Sequence, residues 1–310
     1  MYMLRTALLR RGLAAAVPAA AGITVASMYN SSSALAEPPS PGLDPAKWVP
    51  LTLTKKTQLT DNTAIYRFAF KNAESSSGMT VASCLLTKAA IGSEKPDGSR
   101  ANVMRPYTPI SRPEVKGYLE LAVKTYPEGK MSKHIASLKV GDTLDFKGPI
   151  VKLPYKANEY KQIGMVAGGT GIAPMLQVAD EILENPQDKT KVKLIFANVS
   201  ESDILLKEQI DAKAAAHPDK LSVFYVVDKA PSRSFWQSPW SGGVGYVTES
   251  MLKEHMPPPS KESKVYVCGP PPMYKAICGA KGTKEDPKAQ GELGGLLSKM
   301  GYTSEHVFKF

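Results

Sequence analysis

The feature that most restricts the fold is a glycine-rich turn near the middle of the chain. The apolar run Gly164–Ala167 leads into Gly168–Gly171, and Pro174 follows at a position typical of a helix start. A buried strand, a glycine turn and a helix in this order bring free backbone N–H groups and a helix N-terminus to one point, which suits an anion. A purely structural strand-to-helix turn uses the same residues, and the pattern matches neither common nucleotide-binding glycine motif.

Strands and helices alternate through residues 160–310. The predicted strands are 162–167, 192–197, 221–227 and 265–268, and the predicted helices are 174–184, 203–216, 248–255 and 271–277. Near-continuous apolar strands separated by helices indicate a doubly wound parallel sheet in an α/β domain. Because such sheets bind ligands at the carboxyl ends of their strands, the glycine turn and the Cys268-Gly269 turn are expected to line one crevice.

Residues 48–153 have a different pattern, with short strands and close turns. The predicted strands are 48–56, 62–70, 81–89, 101–110, 117–125 and 143–146, with one helix at 131–138. Short β-branched and aromatic segments separated by turn residues favour an antiparallel β-barrel or sandwich. The chain is therefore predicted to have two domains, 48–153 and 160–310, preceded by a linker at 37–47.

Two polar stretches of the first domain carry residues suited to a cofactor. On one strand, Arg105 and Tyr107 point to the same face and offer a guanidinium for phosphate and an aromatic plane for a flat ring. Thr108 adds a hydroxyl, and Ser132 is placed to cap the following helix. An exposed edge strand and an ordinary helix cap explain each stretch alone. Together they indicate a second anionic cofactor on the barrel.

Asp228 and Cys268 each follow or end a predicted strand of the second domain. A carboxylate at a strand end accepts hydrogen bonds from ribose hydroxyls and repels a 2′-phosphate, although turn formation before Pro231 explains it too. A lone cysteine is more often a small apolar filler than a catalyst, and no histidine base lies near Cys268 in sequence.

Composition restricts the class of protein. The 43% hydrophobic and 22% charged residues are ordinary for a globular protein, and the net charge of +10 favours acidic partners. The lysines are scattered without interleaved aromatic residues, so nucleic-acid binding is not expected. The three cysteines, Cys84, Cys268 and Cys278, are too dispersed for a disulfide framework or a zinc site, and four scattered histidines predict no metal centre.

Residues 1–36 have the composition of a targeting segment. They contain Arg5, Arg10 and Arg11, no acidic residue, and many Ala, Leu and Ser residues, which favours a mitochondrial presequence. The apolar run Leu13–Met28 would rise roughly 24 Å as a helix, short of a bilayer core of about 30 Å. A marginal membrane anchor and a secretory leader remain the alternatives.

Four motifs carry a family resemblance. R-P-Y-T-P-I-S at 105–111, G-K-M-S at 129–132, A-G-G-T-G-I-A-P-M at 167–175 and C-G-P-P-P-M at 268–273 resemble, in order and spacing, the NADH-cytochrome b5 reductase family of the ferredoxin-NADP reductase superfamily. The resemblance covers residues 48–310. F-K-G-P-I at 146–150, Q-G-E-L at 290–293 and V-F-K-F at 307–310 are similar to the fungal mitochondrial members.

The resemblance implies bound FAD and the substrate NADH. Tyr107 would lie against the flavin ring, Thr108 would hydrogen-bond near its N5 atom, and Lys124 and Cys268 would help to place the nicotinamide. Thr108, Lys124 and Cys268 are thus the predicted catalytic residues, with Cys268 orienting and not nucleophilic. Together with the patterns above, the resemblance assigns to the cofactors Arg105, Pro106, Tyr107, Thr108, Ser111, Ala122, Val123, Lys124, Gly129, Lys130, Met131 and Ser132 on the barrel, and Gly168, Gly169, Thr170, Gly171, Pro174, Asp228, Tyr246, Cys268, Gly269, Pro270, Pro271, Met273 and Phe310 on the second domain.

The implied reaction is hydride transfer from NADH to FAD, followed by release of single electrons to cytochrome b5 or a similar acidic haem protein. The composition of residues 1–36, with which the resemblance agrees, predicts attachment to the mitochondrial membrane through the N-terminus, at the outer membrane or in the intermembrane space, and we expect a monomer. Two alternatives remain at this point. One is a flavin reductase of the same superfamily that serves another acceptor, and the other is a non-catalytic nucleotide-binding interaction module.

Overall fold

The computed structural model describes residues 41–232, 239–282, 286 and 289–310. The expected targeting segment at 1–36 lies outside these residues, as does part of the expected 37–47 linker. The described chain forms a six-stranded antiparallel sheet followed by a six-stranded parallel sheet. The predicted fold class, an antiparallel FAD-type barrel followed by a doubly wound α/β domain, is confirmed.

The first sheet has its strands in the order β4-β3-β6-β1-β2-β5. The strands are β1 (Val49–Thr60), β2 (Thr63–Ala69), β3 (Ser83–Glu94), β4 (Arg100–Tyr107), β5 (Tyr118–Lys124) and β6 (Thr143–Val151), and helix α1 (Lys130–Ser137) lies between β5 and β6. Just past β4, the Ile110 N–H donates to the carbonyl of Glu120 on β5 at 2.9 Å. The Glu120 N–H in turn donates to Ser111 Oγ at 3.0 Å. These bonds draw the two edges of the sheet together.

Alternating side chains fill the barrel. Phe68 on β2 and Phe146 on β6 are fully buried and meet edge to face, with ring centroids 4.9 Å apart. Met131 and Ile135 on α1 are buried in the same core, so the helix closes one end of the sheet against β3, β4 and β5. Part of the expected linker also packs here, since Leu43 is only 4% exposed.

The second sheet has the order β10-β9-β8-β7-β11-β12, and all its strand pairs are parallel. Its elements are β7 (Gln162–Gly168), α2 (Ile172–Glu184), β8 (Lys191–Asn198), α3 (Lys207–Ala216), β9 (Leu221–Val227), β10 (Gly243–Val244), α4 (Glu249–His255), β11 (Ser263–Cys268), α5 (Pro271–Ile277), α6 (Gly295–Lys299) and β12 (Val307–Lys309). The chain winds from β7 in one direction and resumes at β11 in the other. The gap between β7 and β11 is therefore the switch point, where open α/β sheets bind ligands.

Both faces of this sheet are covered, which explains why its strands are apolar throughout. On α2, Ile172, Met175, Val178 and Ile182 recur every three or four residues and pack on one face of the sheet. Leu252 of α4, Ile277 of α5 and Leu297 of α6 pack on the other.

The structure corrects several predicted element boundaries. Helix α2 begins at Ile172, two residues before Pro174. The predicted helix 203–216 is interrupted, because a 3-10 turn at Glu201–Asp203 is followed by Leu206 in the left-handed region, with φ 56°. Strands β10 and β12 and helix α6 are missing from the predicted set, because two to five residues are too short to show a periodic pattern.

The segment between the two sheets is anchored to the second domain by a buried carboxylate. The Tyr155 hydroxyl donates to Asp188, which is fully buried and also accepts the Thr190 N–H at 3.0 Å. Asn158 adds two bonds, donating to Gln187 O at 2.9 Å and accepting from the Lys189 N–H at 2.8 Å. These contacts fix where the barrel meets the parallel sheet.

We expect Asp188→Asn to destabilise the protein in a pH-dependent manner. Burial acts to raise the pKa of the Asp188 carboxyl, but hydrogen bonds from Tyr155 and Thr190 outweigh it and leave the pKa below its ordinary value. The carboxylate therefore stabilises the fold above the unfolded-state pKa of about 3.9, and this contribution is lost as pH falls through the lower folded-state pKa. Urea unfolding at neutral pH should show a loss of about 1–3 kcal/mol.

The matched control for this prediction is Asp219→Asn, at an exposed turn of the same domain. The difference between wild type and Asp188→Asn should shrink as the solution is acidified below about pH 4, while the control stays near wild type throughout. Equal losses in the two variants, or a loss that does not change with pH, would contradict the assigned role of Asp188.

Candidate active site

The end of β4 presents Arg105 and Tyr107 beside each other. Arg105 is exposed, its Nη1 donates to Met104 O at 2.8 Å, and no carboxylate in the described part of the chain pairs with it. Tyr107 is half-buried, and burial raises its pKa to about 12, with Arg105 opposing and Tyr126 and Tyr66 adding to the increase. Tyr107 is thus a neutral phenol whose ring can lie against a flat cofactor ring. Arg105 beside it is a cation without a carboxylate partner, which suits a phosphate group.

Pro106 and Thr108 complete this edge. Pro106 is exposed on β4, which pairs only with β3 in the described sheet, so the missing N–H leaves no ladder bond unmade. The half-buried Thr108 hydroxyl has no hydrogen-bond partner among the described residues. It is therefore free to bond a ligand.

The start of α1 differs from the expected helix cap. Gly129, with φ −81° and ψ 94°, is the N-cap residue, and no side chain caps the helix. Ser132 is the third residue of α1, where its hydroxyl donates to Gly129 O at 3.1 Å and accepts the Tyr126 N–H at 3.3 Å. The predicted Ser132 cap is wrong because the helix begins at Lys130 and its N-cap position is taken by the extended Gly129. The Ser132 hydroxyl instead links the start of α1 to the segment that follows β5.

The first turn of α1 offers backbone groups more than side chains. Met131 is 1% exposed and packs in the barrel core, whereas Lys130 is exposed. With no side-chain cap, the N–H groups of this turn remain available, and their partial positive charge suits a phosphate group. This arrangement fits the diphosphate of FAD.

Strand β5 continues the same face. Ala122 and Val123 are 7% and 1% exposed, so they can offer a ligand little beyond their backbone, and Lys124 is half-buried opposite Thr63 on β2. Ser111, expected to contact the cofactor, uses its oxygen as the acceptor that closes the barrel onto β5.

Tyr126 is a site residue that the sequence patterns missed. Burial raises the pKa of its phenol, and a hydrogen-bonding contact with Thr170 lowers it in part. Thr170 lies in the glycine turn of the second domain, and β5 packs against this turn. The contact of β5 with the glycine turn therefore brings the two sheets together, and Tyr126 follows β5 at this junction. Its position two residues past Lys124 is the signal that could have identified it.

The glycine turn and the end of β11 meet closely. A Cβ at Gly171 would lie 2.1 Å from the Cys268 carbonyl oxygen, and Cβ atoms at Gly168 and Gly269 would lie 2.5 and 2.6 Å from the Met273 sulfur. Gly169 has φ +52°, and a Cβ there would meet nothing within 4 Å. Gly168, Gly171 and Gly269 thus allow close packing within the protein. Gly169 instead faces open space, where a ligand can approach.

Two of the predicted prolines shape the adjoining helix starts. Pro174 is buried in the first turn of α2, and Pro271 is the first residue of α5, with Pro270 as its N-cap. Proline loses no helical hydrogen bond at such positions. Pro174 supports the turn from inside the domain.

Cys268, the last residue of β11, is a neutral thiol at the switch point. Burial raises its pKa, with Tyr274 and Lys281 opposing in part. A thiol that stays protonated is a poor nucleophile. The raised pKa therefore argues against a nucleophilic role for Cys268, while its orienting role stays a prediction.

Asp228 and Tyr246 lie at the outer end of the same edge. The Asp228 N–H donates to Asn198 O and Val199 O, and the Gly245 N–H donates to Val227 O at 2.8 Å. These bonds place Asp228 and Tyr246 just past the ends of the neighbouring strands β9 and β10. Asp228 is exposed, and the Tyr246 side chain is 88% exposed. Phe310 is half-buried beside the end of β11: its N–H donates to Val267 O at 3.0 Å, next to Cys268, and its ring packs edge to face on Tyr266.

These observations together fit two nucleotide cofactors. The described residues contain an unpaired guanidinium, an unbonded threonine hydroxyl and an uncapped helix start on the barrel, and a glycine turn open at Gly169 on the parallel sheet. Among the described residues, no cluster of His, Cys, Asp and Glu could hold a metal ion. No described helix has the length and apolarity needed to cross a membrane.

Known proteins resemble this chain over nearly its whole length. Residues 50–155 match the model of the oxidoreductase FAD-binding domain, and residues 165–279 match that of the oxidoreductase NAD-binding domain. A protein named "NADH-cytochrome b5 reductase 2" from Aspergillus niger is 46% identical over 96% of this chain and 90% of its own length. An "NADH-cytochrome b5 reductase-like protein" from Arabidopsis thaliana is 47% identical over 88% of this chain and 79% of its own length.

Solved structures show the same architecture. The cytochrome b5 reductase domain of Ulva prolifera nitrate reductase has a TM-score of 0.72 and 31% identity, covering 88% of this chain and 100% of that domain. A ferredoxin NADP+ reductase from Neisseria gonorrhoeae has a TM-score of 0.60 and 19% identity, covering 85% of this chain and 98% of that chain, and shares the fold.

Fold and site therefore define a two-domain flavoprotein oxidoreductase that uses FAD and NADH. Within that class, the chain belongs to the NADH-cytochrome b5 reductase family.

We expect Asp228→Ala to raise the use of NADPH relative to NADH by about tenfold, because removing the carboxylate removes repulsion of the 2′-phosphate. The kcat/KM values for the two nucleotides provide the measurement. Asp219→Ala is the matched control, since Asp219 is also exposed but lies just before the amino end of β9 and not after its carboxyl end. An unchanged ratio in Asp228→Ala, or an equal change in both variants, would remove Asp228 from the nucleotide site.

Proposed function

We propose that this NADH-dependent flavoprotein passes its electrons singly to cytochrome b5 or to a similar acidic haem protein. The observation that carries the proposal is the packing of β5 of the barrel against the glycine turn Gly169–Gly171 of the parallel sheet, which brings the two nucleotide faces to one crevice. A flavin held on one face and a nicotinamide held on the other would be brought within reach of each other there.

The barrel residues hold and polarise the flavin. Bound FAD supplies the hydride acceptor and the ability to release electrons one at a time. Arg105 and the α1 N-terminus suit its diphosphate, and Tyr107 offers a ring surface. The Thr108 hydroxyl and the Lys124 ammonium would stabilise the negative charge that accumulates near the ring during reduction.

The second domain orients the nucleotide. The open face at Gly169 admits it, and the neutral Cys268 thiol lies at the switch point without competing as a nucleophile. Asp228 would accept hydrogen bonds from ribose hydroxyls.

Two features support cytochrome b5 as the acceptor. Relatives up to 48% identical are named as reductases of that haem protein. The net charge of +10 would steer an acidic partner towards the surface. The three dispersed cysteines of residues 1–310 offer no iron–sulfur ligand set.

Stopped-flow mixing of the holoprotein with NADH and soluble cytochrome b5 tests this function. We expect bleaching of the flavin band by NADH, followed by haem reduction that slows as salt is added, because exposed charges are screened beyond about 8 Å at physiological ionic strength. Arg105→Ala should lower the FAD content of the purified protein, whereas Arg100→Ala, five residues earlier on β4, serves as the control.

The outcomes separate the competing functions. Flavin bleaching without haem reduction, but with reduction of a quinone or a ferredoxin, would indicate a reductase with another acceptor. A flavin band that NADH does not bleach would exclude the enzyme and favour a nucleotide-binding interaction module.

We also propose import into mitochondria, with residues 1–36 directing the protein to the outer membrane or the intermembrane space as a monomer. The support is the arginine-bearing, acid-free composition of that segment. A fusion of residues 1–36 to a fluorescent reporter should co-fractionate with mitochondria, and Arg5, Arg10 and Arg11 replaced by Gln should abolish this. Secretion of the fusion, or retention in the cytosol, would refute import into mitochondria.

Two further measurements test the mature protein. Mass spectrometry of the mature N-terminus shows whether Leu13–Met28 is kept, and light scattering of the purified protein tests whether it is a monomer.

A further inference from the structure

Two motifs near the end of the chain, Q-G-E-L at 290–293 and V-F-K-F at 307–310, are joined in the fold. Gln290 Oε1 accepts the Lys309 N–H at 2.6 Å, and Gln290 Nε2 donates to Lys309 O at 3.1 Å. A side-chain amide has an N–H donor and a carbonyl acceptor, as a peptide unit does, so these two bonds reproduce one step of a β-ladder. Gln290 thus pairs with β12 from outside the sheet.

This pairing occupies the open edge of the parallel sheet. β12 is an edge strand and, among the described strands, pairs only with β11. On the β11 side, the Phe310 N–H donates to Val267 O at 3.0 Å. The N–H and C=O of Lys309 face away from β11, because neighbouring residues of a strand direct their backbone groups to opposite sides. Such groups are unpaired on a free edge, and here Gln290 supplies their partners.

The Lys309 side chain binds the same segment a second time. It is 2% exposed, and its Nζ donates to Ala280 O at 2.9 Å and to Glu292 O at 2.8 Å. A buried ammonium is costly unless its N–H groups are bonded, so the lysine and the two carbonyls hold each other in place. The two arms also touch, since a Cβ at Gly279 would lie 2.5 Å from Glu292 O and one at Gly291 would lie 2.4 Å from Ala280 O. Residues 279–282 and 289–294 are called the clamp segment below.

The clamp segment acts on the strand beside the crevice. β11 lies between β7 and β12, with Val267 paired to Val166 on one side and to Lys309 on the other. Cys268 follows Val267 and ends β11. The Cys268-Gly269 turn packs closely on the glycine turn at the β7 side, whereas on its other side β12 has only three residues. So short a strand has few ladder bonds of its own, and bonds from outside the sheet determine how firmly it is held.

We infer that Gln290 and Lys309 are positioning residues: they fasten the clamp segment to β12, and through β12 they fix the Cys268-Gly269 turn at the crevice. Loosening this edge would let the turn shift. A small shift at a reacting centre lowers the rate of transfer, while the other contacts of the nucleotide keep its affinity. The clamp itself does not depend on the proposed function, whereas its effect on hydride transfer does.

Exchange of the Lys309 amide hydrogen reports the clamp directly, because Gln290 is its acceptor. In hydrogen–deuterium exchange of the oxidised holoprotein, resolved to single residues, we expect this amide to be protected in wild type. It should exchange about tenfold faster or more in Gln290→Met, which keeps the length of the side chain and loses the amide. Gln209→Met, at an exposed position of α3, is the matched control and should leave this exchange unchanged.

Two outcomes of the exchange experiment would overturn the clamp. One is a Lys309 amide that is unprotected in wild type, and the other is equal exchange in wild type and Gln290→Met. If Gln290→Met does not fold, the wild-type exchange alone decides, since β11 provides no acceptor for this amide.

Flavin reduction by NADH then tests the positioning role. At saturating NADH, the rate should fall about fivefold in Gln290→Met and in Lys309→Met, with NADH affinity changed less than about twofold. Lys299→Met, at the exposed end of α6, is the control for the second variant and should keep the wild-type rate. Fast Lys309 exchange with an unchanged rate, or a loss of affinity as large as the loss of rate, overturns the positioning role. If NADH fails to reduce the wild-type flavin, the proposed function fails, and amide exchange still decides the clamp.

Discussion

The close approach between the glycine turn and the end of β11 is the constraint on which the site depends. A Cβ at Gly171 would lie 2.1 Å from the Cys268 carbonyl oxygen, which is closer than any real carbon–oxygen contact. Only glycine lets β7 and β11 converge at their carboxyl ends while Gly169 stays open to the crevice. The requirement is steric, so it acts on the protein even before a nucleotide binds.

The antiparallel barrel is closed by hydrogen bonds and a helix, not by close-packed glycines. Its edge strands β4 and β5 are joined by the bonds of Ile110 and Ser111 to Glu120, and α1 closes the end of the sheet. The barrel leaves the exposed Arg105, the unbonded Thr108 hydroxyl and the uncapped start of α1 without side-chain partners among the described residues. Buried polar groups without hydrogen-bond partners cost free energy unless water or a ligand bonds them. This edge of the barrel therefore has the properties of a ligand-binding site.

Sequence predicted the architecture well because both domains have strong periodic patterns. Continuous apolar strands identified the parallel sheet, and the glycine turn and the Cys268-Gly269 turn do lie side by side, as their positions at strand ends predicted. Contacts between domains were harder to predict, because only the fold shows that β5 packs against the glycine turn of the second domain. The Ser132 cap was wrong for a local reason, since an extended glycine can begin a helix without a side chain. The two- and three-residue strands β10 and β12 carry too little pattern to be seen.

The packing of β5 against the glycine turn Gly169–Gly171 has a consequence for how such chains diverge. Each partner belongs to a different domain, although each domain has its own hydrophobic core. A chimera that combined this barrel with a relative's parallel sheet would preserve both cores and could still lose the contact at the crevice. The contacting residues of the two domains must therefore be kept together when domains are exchanged. The two domains are less interchangeable than their separate folds suggest.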